Sequence, residues 1–110
     1  MSADVILSRE TALSLVLESL GDLLRSRSAH VDGPLGEDVR LLGRGAVIDS
    51  LGLVALIVEI EQRLEERHGV VVTLADERAM SQRHSPFRTV GTLSDYLYGS
   101  IRSRSADGGA

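Results

Sequence analysis

From Asp49 to Gly69 the chain reads DSLGLVALIVEIEQRLEERHG, and the spacing of its apolar residues decides the fold. At 100° per residue, Leu53, Leu56, Ile57, Ile60 and Leu64 share one arc, the single stripe that a surface helix buries against a core. Gly69 stands where helices commonly end in left-handed backbone, so the pattern predicts a helix from about Ser50 to Arg67. A second apolar group, Leu51, Val54, Ala55 and Val58, falls on nearly the opposite side, ringed by Glu61, Gln62, Glu65 and Glu66. It reads equally well as a binding surface and as a strip covered by other helices or by a loop.

Working outward, residues 27–47 read as a long loop, because Asp32, Gly33, Pro34, Gly36, Gly43 and Gly45 interrupt any helix. Leu35, Leu41 and Leu42 are candidates to pin that loop to the core. Upstream, Leu13, Val16, Leu17, Leu20, Leu23 and Leu24 recur at helical spacing, with Ser8 as the expected N-cap. Gly21 interrupts that helix at a cost of about 1 kcal/mol relative to Ala. Downstream, Val70-Val71-Val72-Thr73 has no second strand to pair with and is expected to pack as an extended segment. Residues 74–88 read as loop with one short helical turn around Asp76–Met80, and Pro86-Phe87 carries the single Phe, an expected anchor. Val90, Leu93, Leu97 and Ile101 define a last helix to about Arg102, with Thr92 and Asp95 as a candidate capping box.

The expected fold is therefore all-α: a small four-helix bundle of three main helices plus a short third one, with a long loop between helices 1 and 2. Residues 1–7 are expected to be a flexible N-terminus, 8–102 the domain and 103–110 a disordered tail. With 43% hydrophobic but only 3% aromatic residues in 110, the core must be aliphatic. A net charge of −4 argues against nucleic-acid binding, which needs a clustered basic face. The absence of cysteine excludes disulfides and thiolate metal sites. Val5-Ile6-Leu7 is too short for a signal-peptide core or a membrane span, so a cytoplasmic monomer without membrane insertion is expected.

Ser50 opens the second helix, where unpaired N–H groups and the helix dipole favour a phosphate. The alternative is that Ser50, or Asp49, is simply an N-cap. Asp49-Ser50-Leu51-Gly52-Leu53-Val54 resembles the Asp-Ser-Leu motif of acyl carrier proteins. The resemblance extends over roughly residues 8–102. It takes in Leu41-Leu42-Gly43, the Glu-rich exit of the second helix, Gly69-Val70-Val71-Val72 and Thr89-Val90-Gly91-Thr92-Leu93. It implies that Ser50 receives 4′-phosphopantetheine from coenzyme A on a phosphopantetheinyl transferase, with Asp49 helping to place the metal or the serine. It also implies an acyl- or aminoacyl-activating ligase to load the arm and a downstream acyltransferase or synthase to unload it. By position, the family's docking role falls on Leu51, Val54 and Val58, with Glu61 beside them.

Two departures shape the expected pathway. Ile48 stands where many family members have Gly, and Gly52 and Ala55 occupy positions that are acidic in fatty-acid-synthesis carriers. A specialised biosynthetic or acyl-transfer role, including lipid modification, is therefore expected over housekeeping fatty acid synthesis. The Asp-Ser-Leu-Gly wording is also similar to D-alanyl carrier proteins, so an aminoacyl cargo is the alternative. The chain itself is not expected to be an enzyme: it has no G-x-S-x-G elbow, and His30, His68 and His84 fall in loop or helix-end settings. No two histidines stand at metal-ligand spacing. Arg63 and Arg67 read as a solvated face with Glu59–Arg63 as an i,i+4 pair, and Arg83, His84 and Arg88 as a solvated basic loop. The remaining rival is an unmodified helical adaptor that binds through Leu51, Val54 and Val58.

Overall fold

The computed structural model describes residues 8–27, 34–74 and 85–108, with backbone alone over 103–108. Three α-helices stand among the described residues: α1 (Arg9–Ser26), α2 (Ser50–His68) and α3 (Val90–Gly108). α1 packs along both of the others. No strand forms among these residues, and a single antiparallel bridge pairs Arg40 with Thr89. The all-helical class is as expected. The short helical turn expected around Asp76–Met80 lies outside the described residues, as do Arg83 and His84.

Ser8 caps α1 as the sequence suggests, its Oγ accepting from the Thr11 amide at 3.2 Å. The buried arc of α1 is rotated from the expected stripe. Ala12, Leu15, Val16, Ser19, Leu20 and Leu24 are buried, while Leu13, Leu17 and Leu23 are only partly so. The reason is that α1 has two neighbours, so a wider arc than one stripe faces the core. α2 buries Leu53, Leu56, Ile57, Ile60 and Leu64 as expected, and Gly69 closes it at φ 66°, in the left-handed region that Gly adopts without penalty.

α3 corrects two expectations. Its cap is not built on Thr92 and Asp95. Thr92 Oγ1 accepts from the Thr89 amide at 3.0 Å, and Thr89 Oγ1 accepts from the Thr92 amide at 3.1 Å. That reciprocal pair is a capping box with a second Thr in place of the usual Glu, and it leaves Asp95 free to pair with Arg9. The helix also continues through 103–108, where a disordered tail was expected. The Ser and Arg residues there carry no helix-breaking Pro.

The remaining core comes from outside the helices. Leu41, Val72, Leu74 and Phe87 are buried, and Leu35 and Leu42 pack against them. Phe87 meets the edge of Tyr96 with ring centroids 5.8 Å apart. Val72 and Leu74 point inward from an extended segment and Val71 outward, as alternation along extended backbone requires. Residues 37–42 are stitched to the start of α3. Val90 and Gly91 donate to the carbonyls of Val39 and Glu37, both at 3.0 Å, and Leu41 donates to Arg88 at 2.7 Å. These bonds satisfy first-turn N–H groups that a helix cannot pair internally.

Arg63 is not part of a solvated face. Its side chain is 12% exposed and bonds Glu59 at 2.7 Å within α2, Glu18 at 3.1 Å across on α1, and Asp22 beside it. Arg67 adds a second bond to Glu18 at 2.6 Å. One guanidinium thus closes the α1–α2 seam through several donors in a fixed fork. Hydrogen bonds from Arg67 hold the Glu18 carboxyl below the usual carboxylate range, and those from Arg63 do the same for Asp22.

Two outcomes follow from this packing. Arg63→Met is expected to lower stability by about 1–2 kcal/mol in urea denaturation, the range for charged hydrogen bonds whose acceptors stay solvated. Because the folded-state pKa of Asp22 is depressed, its contribution is present above the unfolded value and lost as pH falls through the folded one. The gap between wild type and Arg63→Met should therefore be full at neutral pH and shrink below about pH 4. Gly21→Ala is expected to raise stability by about 0.5–1 kcal/mol. A Cβ there meets only Arg25 at 3.5 Å and Leu35 at 3.8 Å, which is ordinary contact, so Gly21 is not required for close packing.

Candidate functional site: the first turn and outer face of helix α2

Asp49 is extended, at φ −94° and ψ −174°, and caps α2: its Oδ1 accepts from the Gly52 amide at 2.7 Å. The N-cap reading of Asp49 is therefore what the geometry gives. Arg27 approaches the same oxygen at 3.4 Å from the end of α1. The Gly52 hydrogen bond, and then Arg27, hold the Asp49 carboxyl below its ordinary range. With the cap assigned to Asp49, Ser50 becomes the first helical residue and its side chain is exposed. The amides of Ser50 and Leu51 have no acceptor among the described residues.

Gly52 is what lets this turn close. A Cβ on it would stand 2.9 Å from the Ile48 Cβ and 3.2 Å from the Asp49 carboxylate. Ile48, half-buried against the core, thus excludes a side chain at position 52. The local sequence Ile48-Asp49-Ser50-Leu51-Gly52 is one steric unit that presents Ser50 outward.

The outer face of α2 resolves the ambiguity left by the helical wheel. Leu51 is 75% exposed, Val54 47% and Val58 44%; Ala55, on the flank toward α1, is half-buried. The described parts of the loop do not cover these side chains. Val71, 51% exposed, joins them and was not singled out by the α2 wheel. The signal that finds it is the in–out alternation of Val70 to Leu74. Val58 and Val71 line one groove of about 310 Å³ with Glu61, Gln62, Glu65, Val72 and Thr73. Glu61 is half-buried there, and its Oε2 accepts from the Leu74 amide at 2.7 Å. It therefore anchors the extended segment as well as edging the face.

Among the described residues, no histidine stands near Ser50. His68 lies at the other end of the same helix, about 27 Å along its axis, and His30 and His84 fall outside the described residues. No group of His, Asp or Glu among the described residues is arranged to hold a metal, and no described helix is long and apolar enough to cross a membrane. The residues do fit a group attached to the Ser50 hydroxyl. The side chain is open to solvent, the amides of Ser50 and Leu51 have no acceptor among the described residues, and no acid other than Asp49 lies in or beside that first turn. Comparison with protein families, curated proteins and solved structures gave no match.

Gly52→Ala tests the steric unit. An Ala in place of Gly usually favours a helix, yet here it is expected to destabilise the fold by about 1–3 kcal/mol, the range for overpacking. Thermal unfolding beside Gly21→Ala should give shifts of opposite sign.

Proposed function

We propose that this chain is a freestanding acyl carrier protein of the four-helix type, and that Ser50 is its attachment site. The observation that carries the reading is the juxtaposition at the start of α2: an exposed serine follows an Asp N-cap and opens onto an exposed aliphatic stripe. A structural cap alone accounts for Asp49 but not for the stripe, since a helix of a small bundle needs only one apolar face.

In this reading Ser50 Oγ, giving up its proton, would attack the pantetheine-side phosphorus of coenzyme A on a Mg²⁺-dependent phosphopantetheinyl transferase; the pyrophosphate bond breaks, adenosine 3′,5′-bisphosphate leaves, and 4′-phosphopantetheine stays on the serine as a phosphodiester. The bound arm supplies a terminal thiol that holds an acyl, or alternatively an aminoacyl, group as a thioester. The chain's own residues do the rest. Asp49 fixes the backbone of the turn, the amides of Ser50 and Leu51, without acceptors among the described residues, would be open to a phosphodiester on the serine, and Leu51, Val54 and Val58 dock the loading ligase and the downstream acyltransferase or synthase. The modest size of that stripe suits partners that must release the carrier after each transfer. The chain carries the group in a cytoplasmic biosynthetic or acyl-transfer pathway and performs no chemistry of its own.

Incubation with coenzyme A, Mg²⁺ and a broad-specificity transferase should add the mass of one phosphopantetheine to wild type and none to Ser50→Ala. A folded chain that gains no mass with several transferases would overturn the reading and leave an unmodified adaptor, which the exposed stripe also suits.

A further inference from the structure

All 12 basic residues of this chain are arginines; it has no lysine and no cysteine. Packing explains some of them. Arg9 bonds Glu37 at 2.7 Å and Asp95 at 2.6 Å, Arg63 spans Glu59, Glu18 and Asp22, and Arg67 closes on Glu18. These use the planar fork of a guanidinium, which lysine lacks. Arg40, Arg44 and Arg88 are different. All three are exposed, and their side chains make no ion pair or hydrogen bond among the described residues. Lysine would serve there equally well as a solvated charge, so geometry does not account for arginine at these positions. Arg40 and Arg44 belong to the loop that leads into α2. The Val47 amide donates to the Arg40 carbonyl at 3.0 Å and closes the loop, with Arg44 between two glycines at φ 81° and 83°. From Arg44 to Ser50 the chain reaches at most about 20 Å. The Leu41 amide, bonded to the Arg88 carbonyl, brings the backbone of Arg88 onto the same loop.

We propose that arginine stands in place of lysine around the site so that no side chain of the carrier captures the carrier's own cargo. The inference rests on the carrier reading. A thioester on the arm is open to amines. A lysine nitrogen attacks the carbonyl, the C–S bond breaks, and the arm's sulfur leaves as a thiol with the proton that the nitrogen gives up. The amide that remains is lost to every downstream partner. A flexible tether holds the thioester at about millimolar effective concentration around the loop. Even the unprotonated fraction of a lysine, roughly 0.1% near pH 7.4, then competes with partners that come and go. A guanidinium stays protonated and does no such chemistry. The lack of thiols closes the other route, exchange onto a cysteine. The cargo this protects is an unhindered acyl or aminoacyl group, the kind that acylates amines, held between one partner and the next.

The test loads the full-length chain in one step with acetyl-coenzyme A, Mg²⁺ and a broad-specificity transferase. Intact mass is then followed at pH 8.5, where about 1% of a lysine is free amine. Wild type and Arg44→Gln should keep the acetyl group as a thioester that neutral hydroxylamine removes. Arg44→Lys should lose its thioester about fivefold faster and accumulate an acetyl group that hydroxylamine leaves in place, mapped by peptide mass to residue 44. Circular dichroism should show the three chains equally folded, since the Arg44 side chain bonds nothing among the described residues. Arg44→Lys given the same acetyl-coenzyme A without transferase should stay unmodified. A loaded Arg44→Lys chain that keeps its thioester as long as wild type, or one acetylated equally without the arm, overturns this inference and leaves the carrier reading standing. No mass gain on any of the chains removes the carrier reading and this inference with it.

Discussion

The exchange of hydrogen bonds between residues 37–42 and the start of α3 is the constraint on which the site depends. A loop of this composition has no ladder of its own, and its buried polar groups must find partners elsewhere. They find them in the first-turn amides of α3, which need acceptors for the same reason. Each side satisfies what the other cannot satisfy alone. Gly91 makes the approach possible, since a Cβ there would lie 3.3 Å from the Glu37 carbonyl oxygen. Arg9, bonded to Glu37, Asp95 and the Gly91 carbonyl, ties α1 into the same junction. Once the loop is held at Leu41, the chain has little freedom in where it enters α2, and the position of Ser50 follows.

That entry also decides which face of α2 is spent on the core. A fully buried Leu or Val contributes roughly 1.5–3 kcal/mol, and Leu51, Val54 and Val58 forgo most of it by staying exposed. The same helix shows that burial was available in kind, because Leu53, Leu56 and Ile57 on the other side are completely covered. In a domain with almost no aromatic residues, exposing three or four aliphatic side chains on one helix is a substantial sacrifice of stability. The docking role proposed for the stripe would account for that cost.

The fold was legible where one periodicity had one burial environment. The α2 stripe, the Ser8 cap, the Gly69 stop and the α3 face are local consequences of spacing and backbone preference, and each was readable. The arc of α1 was not, because its rotation depends on having neighbours on two sides. The Thr89–Thr92 box was missed because threonine took the place of the Glu or Gln that signals such a box. Arg63 was misread for a related reason: i,i+4 spacing reports Glu59, while Glu18 and Asp22 reach it only through the packing of α1 on α2. At the site, Asp49, Ser50 and the aliphatic stripe were visible in the sequence. The choice between a covered and an open stripe was not, since exposure is a property of what packs nearby.

Asp49 shows how a single residue can have a structural role and still leave room for a functional one. Its Oδ1 receives both the Gly52 amide and Arg27, which is enough to cap the helix and fix the turn. Its side chain is nonetheless 70% exposed, and Oδ2 takes no hydrogen bond from another described residue. A carboxylate has lone pairs to spare beyond one cap. Held ionised by its neighbours, it keeps a negative charge beside the Ser50 hydroxyl at neutral pH, where a partner-bound divalent cation or a basic side chain can reach it. Capping therefore does not compete with the role proposed for Asp49; it orients the carboxylate for it. An aspartate in this place does what Ser or Thr, equally good caps, cannot do, because neither brings a charge.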